Sequence, residues 1–130
     1  MNKSILLGRL TKVPEIRYSQ STNTKVALFT LAVNRKYVKE GEERQTDFIN
    51  IISYSKLADF AEKYLSQGIQ ICVSGRIQTR NYNDKNGIKR YVTEIVAEEI
   101  YFADSPKKAD ERVLYASTPV NSTNQNNSED

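Results

Sequence analysis

Residues Thr46 to Leu57 read TDFINIISYSKL, and the alternation inside this run decides what kind of fold the chain can have. A β-strand turns successive side chains to opposite faces. Ile49 and Ile51 therefore share one face, while Phe48, Asn50, Ile52 and Tyr54 share the other. The first reads as a core face. The second carries two aromatic rings spaced roughly 20 Å apart along a strand, with Lys56 just beyond them.

The flanking segments add two more aromatics among basic, turn-rich residues: Tyr37 in NRKYVKEGEER (34–44) and Tyr82 in TRNYNDKNGIKR (79–90). Aromatic platforms interleaved with Lys and Arg suit a single-stranded nucleic acid, because every base offers a π-face and every nucleotide a phosphate. Arg35 and Lys36 flank Tyr37, Lys56 follows Tyr54, and Arg76 and Arg80 lead to Tyr82. These five cations are the candidate phosphate contacts.

Further out, most of the chain reads as strands. Asn2–Leu10 and Glu15–Ser19 are short extended pieces separated by Val13-Pro14, since proline offers no ladder donor. Lys25–Asn34, KVALFTLAVN, is apolar on both faces and reads as a central buried strand. Arg35–Arg44 reads as a protruding hairpin. Lys56–Leu65 is the one helix candidate: Leu57, Ala58, Ala61, Tyr64 and Leu65 recur on one 3.6-period face, Ser55 stands at the capping position and Gly68 follows. In Ile69–Arg80, Ile69, Ile71, Val73 and Ile77 alternate with polar residues, and Gly75 on the apolar phase signals a bend or bulge. Asn86-Gly87 is a hairpin signal. Ile88–Phe102 closes the series with a mixed apolar phase, which predicts a bulge or burial on both sides.

Composition narrows the chemistry. The chain has no histidine, so the usual Ser/His/Asp, Cys/His and zinc sites are excluded. The five glycines are too scattered for a phosphate-cradling loop. The single cysteine, Cys72, reads as a packing residue and permits no intrachain disulfide. No catalytic residue, metal ligand or cofactor is expected, and the protein is read as a non-enzyme. No apolar run approaches the roughly 20 residues of a membrane helix, and MNKSILLGRL has too short an apolar stretch for a secretory signal. A cytoplasmic protein without membrane contact is the expectation. Residues 1–106 hold 16 basic and 12 acidic residues, net +4, which is compatible with a nucleic-acid partner without demanding one. Residues 107–130 hold 3 basic and 4 acidic residues and turn rich in Ser, Thr and Asn. They are expected to be a disordered polar tail.

The order is three strands, counting the interrupted first one once, then a helix, then two strands. That predicts an all-β domain over residues 1–106, a five-stranded OB-fold barrel with its helix between strands three and four. Strand count alone would suit an SH3-like or other small barrel nearly as well.

Four stretches at fixed separation carry a closer resemblance: NKSILLGRLTKVPEIRY (2–18), FTLAVNRKY (29–37), TDFINIISYSKLADFAEKYLSQG (46–68) and VSGRIQTRNYNDKNGIKRYVTEIVAE (73–98). Together they resemble the bacterial, replication-type single-stranded DNA-binding protein family across nearly all of residues 1–104. The resemblance implies an OB-fold and a homotetramer. It also implies that the protein coats and protects single-stranded DNA, without sequence preference, in DNA replication, recombination and repair. The four base-stacking positions of that family fall on Tyr37, Phe48, Tyr54 and Tyr82. Many members carry tryptophan at some of them, and this chain has none. Members usually have glycine where this chain has Ser55, and they end in an acidic tip closing with Pro-Phe that docks replication and repair proteins. This chain ends Asn127-Ser128-Glu129-Asp130, a departure that puts such docking in doubt and leaves two readings open: a truncated sequence, or a phage, plasmid or accessory version of the family. An RNA-binding OB module and a nuclease on the same fold are the alternative classes, the latter needing a carboxylate cluster for a metal.

Overall fold

A computed structural model describes residues 1–104; the tail expected over 107–130, and the boundary placed at 106, lie outside the described residues. The elements are β1 (Ser4–Leu10), β2 (Glu15–Tyr18), β3 (Lys25–Asn34), β4 (Thr46–Tyr54), helix α1 (Lys56–Tyr64), β5 (Gln70–Asn83) and β6 (Lys89–Phe102). No helix among the described residues is long and apolar enough to cross a membrane.

The sheet closes on itself. β1 pairs antiparallel with β5, and β5 with β6 along most of their lengths. β6 meets β4 in parallel at Ile51↔Ile95 and Ile52↔Val96, β4 pairs with β3, and β3 returns to β1 at Arg9↔Ala32 and Leu10↔Leu31. β2 continues along β3 from Glu15↔Leu28 to Tyr18↔Lys25. The pairing shifts between Leu10 and Glu15, where Pro14 interrupts the ladder, so β1 and β2 are two halves of one strand. Counted that way, the barrel has five strands with the helix between the third and fourth, the OB-fold that the sequence predicts.

One phase of each strand fills the barrel. Phe29 and Leu31 of β3, Ile51 of β4, Ile71 and Val73 of β5, and Ile95 and Ile100 of β6 are all buried in one cluster. The helix joins that cluster through Ala58, Phe60, Ala61 and Leu65. The buried stripe therefore differs from the predicted one. Phe60 is in the core, with the tilted rings of Tyr64 (centroids 5.4 Å apart) and Phe102 (5.7 Å) packed against it, while Tyr64 lies at the solvent edge. Lys25 of β3 pairs with both Asp59, at 2.8 Å, and Glu62, tying the helix to the sheet.

The helix start also departs from the sequence reading. Ser55 occupies the cap position, but its side chain makes no capping hydrogen bond. Its backbone has φ of 56°, in the left-handed half of conformational space that glycine tolerates best. Its carbonyl accepts from the Asp59 amide at 2.9 Å and so begins the helix without help from the side chain.

Gly75 behaves as its position predicts. The β5–β6 register shifts beside it: Ser74 pairs with Glu99 but Gly75 with Ala97, leaving Glu98 as the extra residue of a bulge. A Cβ on Gly75 would stand 2.1 Å from the Val96 carbonyl oxygen. The shift carries the inward phase of β6 from Ile95 and Ala97 to Ile100, while Glu94, Ile95, Val96 and Ala97, buried in succession ahead of the bulge, show burial on both faces. Beyond the bulge β5 runs past the end of β1. Ile77, on the apolar phase, is exposed there, and the Asn2 side chain bonds both its N–H (2.9 Å) and its C=O (2.8 Å).

Candidate nucleic-acid interface

The outward phase of β4 places Phe48, Asn50 and Tyr54 on the barrel surface, as the period-two reading requires. Phe48 is 65 % exposed and Tyr54 40 %. Their cross-strand partners on β3 are Ala32 and Val26, and alanine is too small to wall in the Phe48 ring. Ile52 lies on the same phase but is buried, with Leu28 opposite it on β3 and Val96 opposite it on β6.

That contact with Val96 extends the surface across the barrel. Val96 is also the partner of Arg76 on β5, so Arg76, Gln78, Arg80 and Tyr82 continue the same face. Within the segment that reads as turn-rich, Tyr82 is a strand residue opposite Arg90, and β5 runs on to Asn83. Tyr82 is 47 % exposed. The hairpin tip is held by Asp84, whose side chain accepts from the amides of Asn86 and Ile88, each at 2.9 Å, and from Arg90 Nε at 2.9 Å. Those bonds, led by the Ile88 amide, hold the Asp84 carboxyl below the usual carboxylate range.

Tyr37 sits in the loop joining β3 to β4 and is 82 % exposed. Lys36 Nζ lies 5.3 Å from the centroid of its ring, a cation–π distance. Beside it Arg35 is forked onto Asp47, with Nε at 3.1 Å and Nη2 at 3.0 Å, and donates from Nη1 to Gln45 at 2.8 Å. The Arg35 hydrogen bonds lower the Asp47 carboxyl below its ordinary range.

The predicted rings Phe48, Tyr54 and Tyr82 and the cations Arg76 and Arg80 thus share one face, Lys56 lies at the start of α1, and Arg35, Lys36 and Tyr37 belong to the adjoining loop. Arg80 is the least free of the cations. Its Nε and Nη2 donate to Glu94 of β6 at 2.8 and 3.3 Å, and its guanidinium carbon stands 5.9 Å from the Tyr82 ring centroid. Glu94 is only 2 % exposed and also accepts from Gln78 Nε2 at 2.7 Å. Sequence reasoning did not single out Glu94, Gln78 or Asp47. A signal existed for Glu94: it is a charge flanked by Val92 and Val96 on the same phase of its strand. Cys72, expected as packing, is half-buried, between Leu7 of β1 and Tyr101 of β6.

Comparison with known proteins gives a consistent picture. The model of the single-strand binding protein family matches residues 1–103. The chain is 53 % identical over 104 residues to single-stranded DNA-binding protein 3 of Clostridium acetobutylicum, covering 80 % of this chain and 72 % of the relative. It is 48 % identical over 120 residues to protein 2 of the same organism, covering 92 % and 90 %. Single-stranded DNA-binding protein 1 of Staphylococcus aureus strain MSSA476 is 51 % identical over 111 residues, covering 85 % and 70 %. Among solved structures, the Plasmodium falciparum SSB in complex with ssDNA superposes with a TM-score of 0.69 at 29 % identity, covering 80 % of this chain and 96 % of that one.

Proposed function

Because this chain belongs to the single-strand binding protein family, we propose that it binds single-stranded DNA without sequence preference, stacking bases on Tyr37, Phe48, Tyr54 and Tyr82. The observation that carries this reading is the pair of large rings standing exposed on one face of β4 while Ile51 between them is buried. A monomeric domain gains nothing from exposing such rings in a row, whereas stacked bases would cover them. Lys56 and Arg76, which pair with no carboxylate among the described residues, serve the phosphates together with Lys36 and Arg35. The protein acts as a non-enzymatic coat on single strands in the cytoplasm during replication, recombination and repair.

A homotetramer wrapping one strand is part of the proposal. Ile5 and Leu7 on β1 support it: both are more than half exposed on the same face, beside the half-buried Cys72 and Tyr101. Light scattering should give a particle near four times the 14.9 kDa chain mass; a monomer at micromolar concentration refutes the wrapping while leaving single-strand binding intact.

The deciding experiment titrates the protein with oligo-dT, with duplex DNA of equal length and with oligo-U. Tight binding to oligo-dT that weakens with salt and quenches tyrosine fluorescence is expected, because phosphate contacts release counterions and stacking covers the rings. Equal affinity for duplex DNA overturns the reading. A preference for oligo-U moves the protein to the RNA-binding class, and cleavage of the strand moves it to the nucleases.

A further inference from the structure

We propose that Glu94 is a positioning residue of the binding face: its buried carboxyl fixes the Arg80 guanidinium beside Tyr82, so that Arg80 offers a flat surface to a base rather than a mobile charge to a phosphate. The inference rests on the single-strand reading above and revises the part that the sequence assigns to Arg80.

Geometry supplies the first step. Two nitrogens of the Arg80 fork meet the two Glu94 oxygens, a contact that fixes the plane of the guanidinium as well as its position. The plane then lies within cation–π distance of Tyr82, with the guanidinium carbon 5.9 Å from its ring centroid. Arginine stacks on aromatic rings and on bases through that same plane. The Arg80 side chain is 41 % exposed, so part of it remains open to a ligand.

Burial supplies the second. If Arg80 swung away to reach a phosphate, Glu94 would lose both ion-pair bonds and keep, among the described residues, only the neutral Gln78 amide, and removing one partner of a buried ion pair is strongly unfavourable. Arg35 presents the opposite case. Its partner Asp47 is 44 % exposed, so water can take over if Arg35 leaves. Gln78 in turn accepts from Arg76 at 3.5 Å, which links the second cation of this strand to the same buried carboxyl.

The test is oligo-dT affinity at several salt concentrations for the wild type, Glu94→Gln, Arg80→Lys and the double variant, with thermal melts to set the working temperature. Glu94→Gln is expected to weaken binding about tenfold, the effect of roughly one stacking contact, with no increase in salt slope. Arg80→Lys keeps the charge and loses the plane, and should weaken binding to a similar degree. The double variant should be no weaker than Arg80→Lys alone.

Tighter binding by Glu94→Gln, with a salt slope steeper by about 0.7, would mean that Arg80 had been released to a phosphate, and would overturn the proposal. Unchanged affinity, or losses that add in the double variant, would overturn it too and leave Glu94 a structural residue. If Glu94→Gln does not fold, Arg80→Lys decides alone, since undiminished binding there refutes the flat-surface role. A wild type that ignores oligo-dT refutes the single-strand reading itself, and the proposal with it.

Discussion

Replacing Phe48 by alanine separates binding from stability, and the two magnitudes follow from the exposure of the ring. Phe48 is 65 % exposed, so only about a third of it is covered by protein. Full burial of a phenylalanine stabilises by about 1.5–3 kcal/mol, so Phe48→Ala should cost about 0.5–1 kcal/mol of folding free energy. For a domain of this size that is a fall in Tm of roughly 2–8 °C. Phe29, one strand away, is 5 % exposed in the barrel core. Its truncation should cost about 3–5 kcal/mol. Affinity should show the reverse contrast. If a base stacks on Phe48, its loss costs about 1–3 kcal/mol, or roughly 5- to 150-fold in Kd for oligo-dT. The assay pairs thermal melts with fluorescence titrations on Phe48→Ala and Phe29→Ala, the latter titrated well below its own Tm. Phe48→Ala melting as early as Phe29→Ala would refute the outward placement. An unchanged Kd would refute the stacking role.

Three further expectations concern the scaffold. Ser55→Gly should raise Tm by up to about 4–8 °C: relieving a left-handed backbone gains about 1–2 kcal/mol, glycine returns about 0.5–1 in unfolded-state entropy, and the Ser55 side chain makes no cap bond that would be lost; calorimetry showing a lower Tm would contradict this. Gly75→Ala should destabilise by about 3 kcal/mol, the upper end of overpacking costs, because the clashing atom is the Val96 backbone oxygen and cannot rotate away; a urea midpoint near that of the wild type would count against the observed bulge geometry. Asp84 titrates below its ordinary value, so its contribution is complete above about pH 3.9 and is lost as pH falls through the lowered folded value. The Tm gap between wild type and Asp84→Asn should therefore be widest near neutrality and close in acid, and a gap that widens in acid would show the opposite sign of linkage.

The barrel was legible in the sequence because alternation and turn chemistry are local. Phe48, Ile51 and Tyr54 declare their faces through period two, and Pro14, Gly75 and Asn86-Gly87 mark where strands break, bulge and turn. The helical period misses Phe60 because it fixes which residues share a face but not how the helix is rolled onto its neighbours. Contact with Phe102, more than forty residues away in the chain, decides that Phe60 is inside and Tyr64 at the edge. Ile77 fails as a core residue for a similar reason. Its phase is right, but β5 has already run past the end of β1 there.

The cations show the limit most sharply. Arg35, Lys36, Lys56, Arg76 and Arg80 are indistinguishable as positive charges beside aromatic rings. What separates them is the partner each finds across the sheet, and how deeply that partner is buried. A cation facing water, such as Lys56, can follow a phosphate wherever the strand places it. Arg35 can do so once Asp47, half in solvent, lets it go. Arg80 is different because Glu94 is sealed beneath it, and the desolvation of that carboxyl makes the arginine's position a condition of the fold. Residue type alone therefore marks out the proposed binding face, while the role proposed for each charge on it depends on the dielectric surroundings of its counter-ion. Those surroundings come into being only when β5 and β6 pair.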